Sequence, residues 1–218
     1  MPAYHTRTET VSACGADLQL RSLLDRNQFD GDEDGAAARA DVSPEAWPLF
    51  GVLWPSARVL AHHMVDYPLA GQRILEVGCG LALASLVLHR RAGDVTASDC
   101  HPLVPEFLRR NLVLNALGHL PYHAAHWGRL SDHPLGRFDL IIGSDVLYEQ
   151  VPSQALTRFL DDHLEADGHV VLVDPNRGQR ARFSRTMGDL GFGLTSTDVR
   201  AAPGLDERYR GRLLRYAR

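Results

Sequence analysis

From Arg73 onward, short runs rich in Val, Ile and Leu alternate with longer amphipathic stretches, and no other feature of this 218-residue chain restricts its fold as much. The apolar runs fall at 73–78, 94–98, 121–126, 138–143 and 169–174 and read as strands. The stretches at 81–91, 103–116, 153–165 and 179–190 read as helices. Strands that are apolar on both faces and separated by helices form a mostly parallel sheet covered on both sides. Residues 192–199 and 212–217 read as a terminal antiparallel pair joined by a Pro/Gly loop, which brings the sheet to seven strands. Upstream, the alternation of residues 6–24 around Cys14-Gly15-Ala16-Asp17 suggests a β-hairpin. Ser43-Pro44-Glu45 reads as a helix start, and Trp54-Pro55 leads into an apolar helical stretch at 59–64. No internal repeat or low-complexity stretch divides the chain. The expectation is one α/β domain over 1–218, with a hairpin and acidic loop in 1–45 and a doubly wound core in 46–218.

Composition narrows the function. The formal net charge of −4 offers no field to hold a polyphosphate, which excludes nucleic acid as a first expectation. Every basic residue is arginine, so the chain carries no lysine that it could itself modify. Cys14, Cys79 and Cys100 are odd in number and widely spaced, as in a reducing compartment. The first residues lack the apolar core of a signal peptide, and no apolar run approaches the ~20 residues needed to cross a bilayer. The expected location is cytoplasmic, with no membrane partner. Asp30-Gly31-Asp32-Glu33-Asp34 lacks the spacing and closing Glu of a calcium loop and reads as a solvated loop. His62-His63, His123 and His126 have no carboxylate or Cys completing a metal site, so no metal is expected.

The most informative stretch is Arg73-Ile74-Leu75-Glu76-Val77-Gly78-Cys79-Gly80-Leu81-Ala82, a buried strand running through two glycines into a helix. Such a turn brings bare main chain up to a ligand at the carboxyl end of a sheet, as in Rossmann-like folds. A dinucleotide site wants a third glycine and a pyrophosphate on the helix N-terminus. Here Ala82 holds the third position, and the acid Glu76 favours a ligand with an ammonium group and a sulfonium, S-adenosylmethionine. About twenty residues on, Asp99 ends the next strand before Cys100-His101-Pro102, where an acid hydrogen-bonds the ribose of either cofactor.

The fourth strand of the core ends in Ser144-Asp145-Val146-Leu147-Tyr148-Glu149, an acid and an aromatic three apart. It adjoins the first strand in a doubly wound order, so Asp145 is expected beside the cofactor. Methyl transfer to nitrogen needs a neutral amine with its lone pair aimed at the methyl. Asp145 could accept a hydrogen bond from that amine and orient it, and Tyr148 could wall the channel. Their alternative reading is a turn cap and a packed ring.

These residues resemble the seven-β-strand S-adenosylmethionine-dependent protein lysine methyltransferases, the group with an Asp-x-x-Tyr signature. The resemblance spans roughly 45–190 and rests on Gly51-Val52-Leu53-Trp54-Pro55-Ser56-Ala57, Glu76-Val77-Gly78-Cys79-Gly80 and Ser144-Asp145-Val146-Leu147-Tyr148-Glu149. It implies Asp145 and Tyr148 at the catalytic site. Glu76, Gly78 and Gly80 would line the methionine part of the cofactor, Asp99 its ribose and Trp127 its adenine. Trp54 would close the pocket, with Cys79, Cys100 and Ser144 also binding the cofactor. Ala82, the acidic run at 30–34 and Asp174-Pro175-Asn176-Arg177-Gly178 depart from the family pattern; at the active-site edge Asn176 and Arg177 could contact the substrate or form a loop and cap.

The expected function is methylation of a protein lysine side chain. Two rivals stay open: methylation of a small amine, and a non-catalytic S-adenosylmethionine-binding regulator. The identity of the acceptor, the number of methyl groups and the oligomeric state are not written in the sequence.

Overall fold

A computed structural model describes residues 4–13, 16–29, 39, 42, 46–128, 135–148, 153–176, 178–205 and 208–218. Strands β1 (Thr6–Ala13) and β2 (Ala16–Leu23) form the N-terminal hairpin. A 3₁₀ turn, Trp47–Gly51, leads into helix α1 (Pro55–Val65). The core then runs β3 (Arg73–Val77), α2 (Leu83–Arg90), β4 (Asp94–Asp99), α3 (Val104–Leu114), β5 (Tyr122–Ala124), β6 (Phe138–Ser144), α4 (Ser153–His163), β7 (Leu164–Asp174), α5 (Arg180–Asp189), β8 (Gly193–Val199) and β9 (Gly211–Ala217). The seven strands lie in the order β5-β4-β3-β6-β7-β9-β8, and β9 alone runs opposite to the other six. The expected hairpin, five parallel strands and terminal antiparallel pair are therefore all present, and β3 and β6 are adjacent.

Period-two alternation splits the core into two layers. Ile74, Leu140, Ile142, Val171 and Val173 point to the face covered by α1, α2 and α3. Leu75, Val77, Ile141, Val170 and Leu172 point to the face covered by α4 and α5. Both sets are almost fully buried, which is why the strands read as continuous apolar runs.

One boundary differs from expectation. Helix α4 passes directly into β7, which begins at Leu164 instead of 169, and the pairing with β6 slips between Phe138 and Leu140. Gly168 sits in this irregular stretch, where a Cβ would lie 2.9 Å from Leu164 Cγ and 3.0 Å from the carbonyl oxygens of Asp139 and Glu165. The stretch Glu165-Ala166-Asp167-Gly168 hides the start of the strand from a reading based on apolar runs.

The hairpin is fastened to α3 by two asparagines one helical turn apart. Asn111 Oδ1 accepts the Arg21 N–H (2.7 Å), and Asn115 Oδ1 accepts the Gln19 N–H (2.8 Å). Their amide groups donate back to the carbonyls of Arg21 (3.4 Å) and Gln19 (2.7 Å). Two side chains thus act as a substitute strand along the edge of β2. At its end, Leu23 packs on Gly51, where a Cβ would stand 2.4 Å from Leu23 Cδ1. The helix start expected at Ser43-Pro44-Glu45 and the acidic loop 30–34 lie outside the described residues. No described helix is long and apolar enough to cross a membrane.

Candidate active site

The carboxyl ends of β3, β4 and β6 open on a cavity of about 300 Å³. Gly78 and Gly80 carry positive φ angles of +59° and +52°, and side chains would not fit there. A Cβ on Gly78 would lie 2.9 Å from Val146 Cγ1 and 3.4 Å from Trp127 Cζ2, and one on Gly80 2.9 Å from the Phe50 carbonyl oxygen. Ala82, the departure from a third glycine, adopts φ +58° with its side chain buried, so the left-handed turn is kept at a steric cost.

Asp99 lines the same cavity at the end of β4. Its carboxylate accepts the N–H of Gly80 (2.9 Å) and of His101 (2.9 Å), which ties the glycine turn to the neighbouring strand. Burial raises its pKa, against the pull of these backbone donors. Beyond it, His101 is buried between the rings of Phe50 (centroids 3.8 Å apart, stacked) and Trp47 (4.2 Å). Its Nδ1 accepts the Leu103 N–H, and burial pushes its pKa down to about 3, so the ring stays neutral. The roof is completed by Trp54, which lines the cavity and whose Nε1 donates to the Leu49 carbonyl (3.0 Å).

Four positions after β6 show why the Asp-x-x-Tyr spacing matters. Val146 and Leu147 are buried in the α4/α5 layer, Val146 also reaching the cavity wall, and Asp145 and Tyr148 on either side line the cavity. Asp145 holds φ +55°, an uncommon conformation for a residue with a side chain, and its N–H donates to the Val173 carbonyl (2.8 Å). Burial chiefly, then the neighbouring Cys100, Asp99 and Asp145, raise the Tyr148 pKa, so its hydroxyl keeps its proton.

Of the eleven site residues expected from sequence, ten line this cavity: Asp145, Tyr148, Trp54, Gly78, Cys79, Gly80, Asp99, Cys100, Trp127 and Ser144. Glu76 does not. Strand alternation turns it with Ile74 toward α2, where its carboxylate accepts both the N–H and the hydroxyl of Ser85. Its expected place in the cavity wall is corrected accordingly. Phe50 and His101 were missed, and the only hint was the position of His101 two residues beyond Asp99. Asn176 has φ +63° and follows β7, but it is not in the cavity wall. Arg177 lies outside the described residues.

Among the described residues the lining contains two carboxylates, Asp99 and Asp145, and neither lysine nor arginine. Such a cavity suits a nucleoside bearing positive charge and opposes a pyrophosphate. The profile described as lysine methyltransferase matches residues 49–187, more than half of the chain. This chain belongs to the lysine methyltransferase family. Its methyl donor is S-adenosylmethionine, and the bare glycine turn, the acid after β4 and a lining without lysine or arginine among the described residues fit that cofactor.

The mouse electron transfer flavoprotein beta subunit lysine methyltransferase is 27% identical over 186 residues, which cover 82% of this family member and 69% of the mouse protein. The calmodulin-lysine N-methyltransferase of Arabidopsis thaliana is 30% identical over 160 residues, covering 66% of this chain and 52% of the plant one. Among solved structures, the Synechocystis magnesium protoporphyrin IX methyltransferase with bound SAM superposes with a TM-score of 0.58 at 19% identity, covering 88% of this chain and 94% of that one. The Thermus thermophilus 16S rRNA N2 G1207 methyltransferase reaches a TM-score of 0.63 at 17% identity, covering 100% and 51%. At these identities the two structures establish the shared fold of the family member and nothing about its substrate.

Proposed function

We propose that this methyltransferase acts on the side-chain amine of a lysine in a protein substrate, and that Asp145 orients that amine. The observation carrying the reading is Asp145 itself, held in a left-handed backbone conformation at the cavity wall with Tyr148 beside it. Strain at a non-glycine position persists where the surrounding structure over-determines it, and it concentrates at functional sites. When bound, S-adenosylmethionine supplies an electrophilic methyl group for in-line displacement and leaves as S-adenosylhomocysteine.

The chain's residues do the rest. The main chain at Gly78, Cys79 and Gly80 receives the amino-acid end of the cofactor. Asp99 takes the ribose hydroxyls on its remaining lone pairs, Trp127 and Cys100 flank the adenine, and Trp54 and Ser144 close the walls. Asp145 accepts a hydrogen bond from the neutral acceptor amine, aiming its lone pair. The neutral ring of Tyr148 walls the channel and favours the methylated cation that forms. Glu76 acts from behind the turn, bonding the first turn of α2 to β3.

The test is transfer of labelled methyl from S-adenosylmethionine to lysate proteins and, separately, to small amines. Labelled protein should yield methyl-lysine on hydrolysis. Asp145→Asn should lower the rate by about 100-fold while S-adenosylhomocysteine affinity, by calorimetry, changes by less than about threefold. Label confined to small amines would replace the acceptor, and an undiminished Asp145→Asn enzyme would remove Asp145 from the mechanism.

A further inference from the structure

Charge is unevenly divided along the chain. Residues 176–218 contain ten arginines and four acids, whereas residues 1–175 contain thirteen arginines and twenty-three acids. The topology carries part of this basic segment to the catalytic edge of the sheet. Ser144 pairs with Val173, Asp174 with Arg212, and Arg212 with Asp198, so the ends of β6, β7, β9 and β8 lie in one row beginning beside Asp145. Arg212 is occupied by an ion pair with Asp198 (2.9 Å). Just beyond the row stand Arg200, after β8, and Arg208 and Arg210, before β9, all three exposed. Among the described residues none of them has an ion-pair partner. Asp206 and Glu207 of the same connection lie outside the described residues.

Arg208 and Arg210 are positioned by the residue between them. Tyr209 is buried, and its hydroxyl lies 2.9 Å from Ser56 Oγ, itself buried in the first turn of α1. Ser56 follows the roof residue Trp54 by two positions. The two arginines therefore flank an anchor fixed to the roof of the cavity.

We propose that Arg200, Arg208 and Arg210 form a docking surface for an acidic segment of the protein substrate, next to the lysine that enters the cavity. The proposal rests on the protein-lysine reading above. Guanidinium forks match carboxylates in bidentate pairs. With strands about 4.8 Å apart, the arginines stand roughly 10–15 Å from Asp145. An extended chain covers that distance in about three to five residues, which sets where the substrate's acids fall relative to its lysine. Nucleic acid fits less well. The acidic remainder of the chain repels a polyphosphate, and none of the exposed large hydrophobic residues among those described is an aromatic that could stack a base.

The experiment compares lysine-centred peptides carrying Glu, Gln or Arg three to five residues from the lysine, with wild-type enzyme and the Arg200→Ala/Arg208→Ala/Arg210→Ala variant. S-adenosylhomocysteine binding by calorimetry verifies that the variant is folded. Wild type should prefer the Glu peptide by about tenfold in kcat/KM, expressed in KM and weakened by salt. The triple variant should lose that preference, and Arg208→Glu/Arg210→Glu should prefer the Arg peptide. Equal use of all peptides by wild type, or a preference retained by the triple variant, overturns the docking surface and leaves lysine methylation standing. Tighter binding of a fluorescent single-stranded RNA, lost in the triple variant, overturns it in favour of nucleic acid. Failure of wild type to methylate any lysine peptide or protein in lysate takes down both readings.

Discussion

Glu76 shows how one carboxyl group couples the site to pH. Its burial under α2 pushes its pKa from 4.5 up to about 7, against two hydrogen bonds from Ser85 that pull the other way. The folded protein therefore keeps a proton that the unfolded chain releases above about pH 4.5. This contribution to stability is full below that value and is lost as pH rises through about 7. Urea denaturation at pH 5 and pH 8 should show wild type losing roughly 2 kcal/mol more than Glu76→Gln over that interval. Equal losses in both proteins would mean that Glu76 is not the titrating group. The cavity wall was legible wherever it followed a strand end: Gly78, Gly80, Asp99, Asp145 and Tyr148 were all placed there by position. Glu76 was misplaced because an acid beside a glycine turn looks like a ligand, although its parity with Ile74 assigns it to the helix face. Phe50 and His101 stack across some fifty residues of sequence, and no local pattern announces such a contact.

At the scale of elements, helix ends are the informative places. Helices α2, α3 and α5 all finish with a left-handed residue and a cap bond spanning five residues: Gly93 N–H to Leu88 O, Leu117 N–H to Leu112 O, and Phe192 N–H to Met187 O. Only α5 places glycine at the left-handed position, Gly191 (φ +89°), while α2 and α3 use Ala92 (φ +58°) and Ala116 (φ +51°). Both alanines are exposed and lose little by truncation. Ala92→Gly and Ala116→Gly should each stabilise the protein by about 0.5–1 kcal/mol, and Gly191→Ala should destabilise it by about 1 kcal/mol. Thermal unfolding of the three variants checks the signs. Residues 81–91, 103–116 and 179–190 were each read a residue or two long at the C-terminal end, and two of those ends lack the glycine that signals a stop.

For the whole molecule, the hairpin matters most. Its strands were legible from alternation, but its docking was not, because Asn111 and Asn115 give no sign in sequence that they will stand in for a strand. Removing them in Asn111→Ala/Asn115→Ala should speed hydrogen exchange at the Gln19 and Arg21 amides by at least about tenfold, with the β3 and β6 amides unchanged. Exchange accelerating equally throughout would mean that the hairpin and the sheet open as one unit. The partners of this clamp lie 90 and 96 residues apart, which imposes a timetable on synthesis. The hairpin leaves the ribosome before α3, and at about 5–20 residues per second it waits roughly 5–20 s until α3 exists to receive it. A two-stranded ribbon is marginal alone in water. The polar positions Thr6, Thr8, Thr10 and Ser12 along β1 keep that waiting segment compatible with solvent until its partner arrives.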